Sequence, residues 1–109
     1  MTEGKIMSAG IRAAIITDAA PMVAAALESI PAAHTWNFRI SYGWNGLIVS
    51  ATDRLPHAAR ENGLDAFFDA FEAAGWTAKT GYDEFFEFRS VTLVHPSVAA
   101  GRMVPAPAI

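Results

Sequence analysis

The most regular pattern in the chain is the alternation from Trp36 to Tyr42, where Trp36, Phe38, Ile40 and Tyr42 are separated by Asn37, Arg39 and Ser41. A period of two belongs to a strand with one face buried. Asn45-Gly46 follows, a dipeptide suited to the two positive-φ positions of a type I′ turn. Pairing outward from that turn predicts Trp44 opposite Leu47, Tyr42 opposite Val49 and Ile40 opposite Ala51, all on one face. Arg39 and Ser41 then meet Thr52 and Ser50 on the other face. Every pair agrees about which side is the core, as a correct register requires.

Helical spacing flanks this hairpin. Before it, Val23, Ala24, Leu27 and Ile30 form an apolar stripe, with Thr17 or Asp18 as cap, Pro21 in the first turn and Pro31 as the stop. Residues 11–16 read as either a buried strand or the lead into that helix, and residues 1–10 as a flexible arm. After the hairpin, residues 53–63 read as a polar crossover with room for one helical turn. Asn62 then caps a second helix whose stripe is Leu64, Phe67, Phe68, Phe71 and Ala74, and Gly75 supplies a left-handed end. Residues 76–82 and 85–94 suggest a second hairpin turning near Asp83-Glu84. His95-Pro96 ends it. Residues 97–109, with Pro105 and Pro107 among small residues, read as a flexible tail, which leaves 11–96 as a single domain.

The halves echo each other. Trp36 to Tyr42 and Trp76 to Tyr82 have the same spacing, and Arg39 then corresponds to Lys79, and Ser50 to Ser90. The expected fold is α+β: a two-layer sandwich in which two helices cover an antiparallel sheet of four or five strands, in a (β)αββαββ pseudo-duplication.

Composition narrows the function classes. The chain of 109 residues contains no cysteine, which excludes disulfides, thiolate metal sites and a cysteine nucleophile. No stretch reaches the roughly 20 apolar residues of a membrane span, so a soluble, cytoplasmic protein is expected. The net charge of −3 is unevenly spread. From Glu61 to Glu87 seven acids face Lys79 alone (−6), while the remainder holds four acids and seven bases (+3). No clustered basic face accompanies this, so nucleic-acid binding is not expected.

Signatures of chemistry are absent. The three histidines, His34, His57 and His95, fall in no ligand pattern, although His57 and Glu61 share a helical spacing that suits an acid–base pair. No G-x-S-x-G elbow, G-x-G-x-x-G or P-loop occurs. No metal and no cofactor are expected.

Two surpluses remain. Asp65, Asp69 and Glu72 form an acidic stripe opposite the phenylalanines, with Asp83 and Glu84 close in sequence. As the wet face of an amphipathic helix this needs no function, but it equally suits a partner with a basic surface. The aromatic residues of the strands, Trp44 among them, exceed what two thin layers hide, which points to an association surface and a homodimer through the sheet. The leading expectation is thus a small non-enzymatic interaction module, an inhibitor or regulator that occupies a surface of a larger complex. Small inhibitors that phages and other mobile elements direct against bacterial defence complexes have this profile. Its binding residues are Asp65, Asp69, Glu72, Asp83, Glu84 and Trp44. The alternative is a small-molecule site, or an unassigned enzyme, between helices and sheet, with Tyr42, Trp76 and Tyr82 as aromatic wall and Arg39 or Lys79 for an anionic group.

Overall fold

The computed structural model describes residues 2–83 and 88–100. Helix α1 (Thr2–Glu28) leads through a 3₁₀ helix (Ala32–Asn37) into strands β1 (Phe38–Tyr42) and β2 (Gly46–Ala51). Helix α2 (His57–Ala73), strands β3 (Thr77–Asp83) and β4 (Phe88–Val94) and a single-turn helix α3 (Pro96–Ala99) complete the order. The strands form one antiparallel sheet in the order β1-β2-β4-β3. The expected αββ repeat is therefore present. Its hairpins lie side by side, with Ser50 and Ser90 directly opposite each other at the central β2–β4 seam.

The first helix is much longer than its sequence suggests. Residues 11–16 are helical rather than a fifth strand, and the segment read as an arm carries the helix back to Thr2. Ile15, Ala19, Ala26 and Ile30 are buried and Met22, Val23 and Leu27 pack beside them, so one stripe at i, i+4 and i+7 spacing runs along α1. Pro21 sits inside the helix, where it removes the bond to the Thr17 carbonyl. The buried stripe on both sides of it outweighs that loss. Helix α2 likewise begins five residues before the expected cap, at His57, so Asn62-Gly63 lies within it. Gly63 is tolerated because the Phe38 ring lies against it; a Cβ there would meet Phe38 Cζ at 1.9 Å.

The first hairpin differs from expectation by one residue at its turn. The Gly43 N–H donates to the Gly46 carbonyl at 2.8 Å, so Trp44-Asn45 is the tip and Gly46 already belongs to β2. Tyr42 pairs with Leu47, Ile40 with Val49 and Phe38 with Ala51, and Arg39 meets Ser50 rather than Thr52. Moving the turn by one residue slides the pairing by two, an even step that keeps every side chain on its face. Gly46 does not serve as a positive-φ turn residue; among the described glycines only Gly75 has that backbone, at φ 91°. Gly46 is needed for a close approach instead, since a Cβ there would stand 1.8 Å from the Leu93 carbonyl oxygen. The second hairpin pairs Thr77 with Val94 through to Asp83 with Phe88. Glu84, Phe85, Phe86 and Glu87 lie outside the described residues, as do residues 101–109 of the expected tail.

Between sheet and helices lies one core. Phe67 and Phe71 of α2 are fully buried against Leu47, Val49, Val91 and Leu93. Each such phenylalanine contributes about 1.5–3 kcal/mol of burial free energy. The Trp76 indole meets Phe71 edge-on at 4.8 Å and His95 at 4.9 Å. Trp36, expected inward, is 90% exposed, because the 3₁₀ helix ends at Asn37 and the strand alternation starts only at Phe38. Among the described residues, no helix is long and apolar enough to cross a membrane.

Candidate functional site

Cross-strand partners share a face, so the register assigns every strand residue to a side. The core partners place Phe38, Ile40 and Tyr42 toward the helices with Leu47, Val49, Ala51, Ala78, Val91 and Leu93. The opposite face is covered by neither α1 nor α2. Two rows cross it from edge to edge: Arg39, Ser50, Ser90, Gly81 and then Ser41, Ile48, Thr92, Lys79. Gly46, Val94 and Thr77 form a further row nearer the hairpin tip. Arg39 and Lys79, one on each edge strand, are exposed, and neither makes an ion pair among the described residues. Ile48 is 47% exposed and Trp44 45%. With Ser41, Thr92 and Val94 they line a cleft of about 260 Å³ at the tip.

Cations on the covered side behave differently. Arg89 has the parity of Val91 and Leu93 and reaches α2, where its guanidinium lies 2.9 Å from Asp65 and 3.3 Å from Glu61. It also donates to the Thr80 hydroxyl at 3.4 Å. Of the acidic stripe, Asp65 is therefore tied to the sheet of its own chain. Asp69 and Glu72 are exposed and unpaired among the described residues. Glu72, near the end of α2, shares an end of the molecule with Trp44: Trp76 meets the His95 ring edge-on, and the His95 backbone N–H donates to the Asn45 carbonyl. Asp83 lies at the other end, and Glu84 is outside the described residues. The expected binding set is thus divided between two ends.

The small-molecule set is divided between two faces. Arg39 and Lys79 point away from the helices, whereas Tyr42 packs on the core side and Trp76 is buried in it. Burial raises the Tyr42 phenol above its ordinary pKa of 10.0. Only Tyr82, 62% exposed, borders a cleft between helix and sheet. That cleft, about 170 Å³, is lined by His57, Arg60, Glu61, Leu64, Tyr82 and Arg89. His57 and Glu61 both line it, as their spacing allows, but Glu61 is engaged by Arg89.

One buried polar residue carries no sequence signal beyond its place before a proline. His95 is 6% exposed. Its Nε2–H donates to Asp18 of α1 at 2.8 Å, and its Nδ1 accepts from the Ser97 N–H at 3.0 Å as the cap of α3. Those partners define the tautomer, and both ring nitrogens are used structurally. Arg89 was missed as well, although its parity with Val91 and Leu93 is a signal that could have marked it as a cation beneath the helix layer.

Comparison of the chain with protein-family models, curated proteins and solved structures returned no match.

Proposed function

We propose that the chain is a non-enzymatic protein-interaction module that acts by occupying a surface of a larger partner. The observation that carries this reading is the open sheet face, whose apolar end is formed by Trp44, Ile48 and Val94. Uncovered sheet with exposed aromatic and β-branched side chains is an association surface in small domains. The clefts known among the described residues favour the same reading. Clefts of about 170, 190 and 260 Å³ fall below the roughly 300–1,000 Å³ of small-molecule sites. An inhibitor or regulator needs no more than such a surface. Asp69 and Glu72, exposed on α2 in the other layer, add a separate patch of negative charge that suits a basic surface on the partner.

The test is affinity capture from cells of the source organism with the native chain and the Trp44→Ser/Ile48→Thr variant in parallel. A stoichiometric protein recovered by the native chain and lost by an equally stable variant supports the reading. Equal recovery by both, or by neither, removes it. The second reading, a ligand site in the Tyr82 cleft, rests on His57, Glu61 and Tyr82 lining that one cleft. Saturable shifts of those residues with a small-molecule library, without any captured protein, would favour it instead.

A further inference from the structure

The charges of the two faces have been handled in opposite ways. Beneath α2 the one cation of β4, Arg89, is held by two carboxylates. On the open face Arg39 and Lys79 are both exposed and both unpaired among the described residues, and no side chain of their two rows is acidic. The other described acids lie on α1, between β2 and α2 and along α2, while Asp83, two positions beyond Gly81 at the end of β3, shares the register parity of Lys79 at the far end of the face from Trp44. We infer that the open face receives an acidic segment of a partner protein, with carboxylates at Arg39 and Lys79 and an apolar residue against Ile48. This rests on the interaction reading above and assigns the chemistry of the partner at that face.

Three features support that occupant. Ser50, Ser90 and Gly81 fill one row and Ser41 and Thr92 flank Ile48 in the other, so the floor is low and lets a backbone approach closely. Its hydroxyls remain able to bond a segment laid across them. The spacing is also defined. Arg39 and Lys79 are separated by three strand intervals and one two-residue step, about 16 Å between Cα atoms. In an extended segment that is about five residues, and in a helix about ten or eleven. A single-stranded nucleic acid offers the same sign of charge but stacks its bases on aromatic rings. Neither row contains one.

The experiment is a titration of the isotopically labelled chain, followed by amide NMR shifts, with a 15-residue helical peptide. Its two glutamates stand eleven positions apart with leucines between them. Saturable shifts at Arg39, Ile48, Ser50, Lys79 and Ser90 are expected, weakening as salt screens the pairs. Arg39→Gln and Lys79→Gln should each weaken binding about two- to fivefold, and the double variant about tenfold. Replacing the glutamates of the peptide by glutamine should match the double variant. The inference is overturned if the double variant binds equally well or shifts map to α2. It also falls if a ten-nucleotide oligothymidylate binds this face more tightly, or if the face proves buried in a dimer by sedimentation. A captured partner that depends on Trp44 and Ile48 but not on Arg39 or Lys79 would leave the interaction reading standing and remove only the acidic chemistry.

Discussion

His95 and Asp18, 77 residues apart in sequence, meet at 2.8 Å and join the end of the sheet to the first helix. The imidazole is buried, while the carboxylate side chain is about half exposed. Losing the two partners is therefore unequal. His95→Ala leaves the Ser97 N–H without its acceptor and opens a space beside Trp76, and should cost about 2–4 kcal/mol. Asp18→Asn keeps an acceptor oxygen and should cost about 0.5–1.5 kcal/mol. Urea unfolding of both variants checks the ratio. Two equally small losses would show that this contact does not hold the corner.

Two neighbouring glycines should respond in opposite ways to the same change. A Cβ on Gly46 would be driven into the Leu93 carbonyl, 1.8 Å away, whereas one on Gly43 meets nothing within 4 Å. Neither glycine has a positive φ. Gly46→Ala should lower stability by about 2 kcal/mol or more, through separation of β2 from β4. Gly43→Ala should leave it unchanged or raise it by about 0.4–1 kcal/mol, by restricting the unfolded chain. Thermal melts of the pair decide this. A Gly46→Ala variant as stable as the native chain would mean that the strands are not packed so closely.

The same pair of strands shows what the sequence made legible. Face assignment followed from alternation alone, so the core side of β1 and β2 was readable even though the turn was displaced by one residue. The turn itself was not, because Asn45-Gly46 satisfies the local rule for a tight turn while the demand on Gly46 comes from Leu93, 47 positions away. Asn62-Gly63 misled for the same reason: the Phe38 ring, not a helix end, explains that glycine. Helix α1 was shortened by reading Pro21 as a boundary, although Ile15 and Ala19 already extend its stripe. Candidate sites fared according to dimensionality. Residues related along one strand or helix, such as His57 and Glu61, line one cleft as their spacing allows. Arg39 and Tyr42 were separated by the alternation itself, and the Arg89–Asp65 contact needed the tertiary fold.

Alkaline pH should report on Tyr42. Burial raises its phenol above 10.0, so the folded chain holds that proton more tightly than the unfolded chain does. The associated stability is complete below pH 10. It declines as pH rises through the higher folded value, because ionisation is easier in the unfolded chain. Tyr42→Phe removes the titrating group and should flatten the fall in stability above pH 10 relative to the native chain. Urea midpoints across that range test this; parallel curves would place the phenol in solvent.

The acidic stripe of α2 separates into one structural and two free positions. Asp65 lies 2.9 Å from Arg89, whose side chain is largely buried, while Asp69 and Glu72 are exposed without partners among the described residues. Asp65→Asn should therefore cost about 0.5–1 kcal/mol, discounted for the exposure of its own carboxylate. Asp69→Asn and Glu72→Gln should be neutral or stabilising by a few tenths of a kcal/mol, since like charges one turn apart repel. A double-mutant cycle of Asp65→Asn with Arg89→Gln isolates the pair from the desolvation of each partner, and a coupling near zero would reduce it to an incidental contact. Binding supplies the complementary measurement. If α2 also borders a basic partner, Asp69→Lys/Glu72→Lys should slow association and remove its salt dependence while the melting temperature stays unchanged. Association rates that do not respond would leave Asp69 and Glu72 as solvent-facing charge, with the open sheet face as the sole contact.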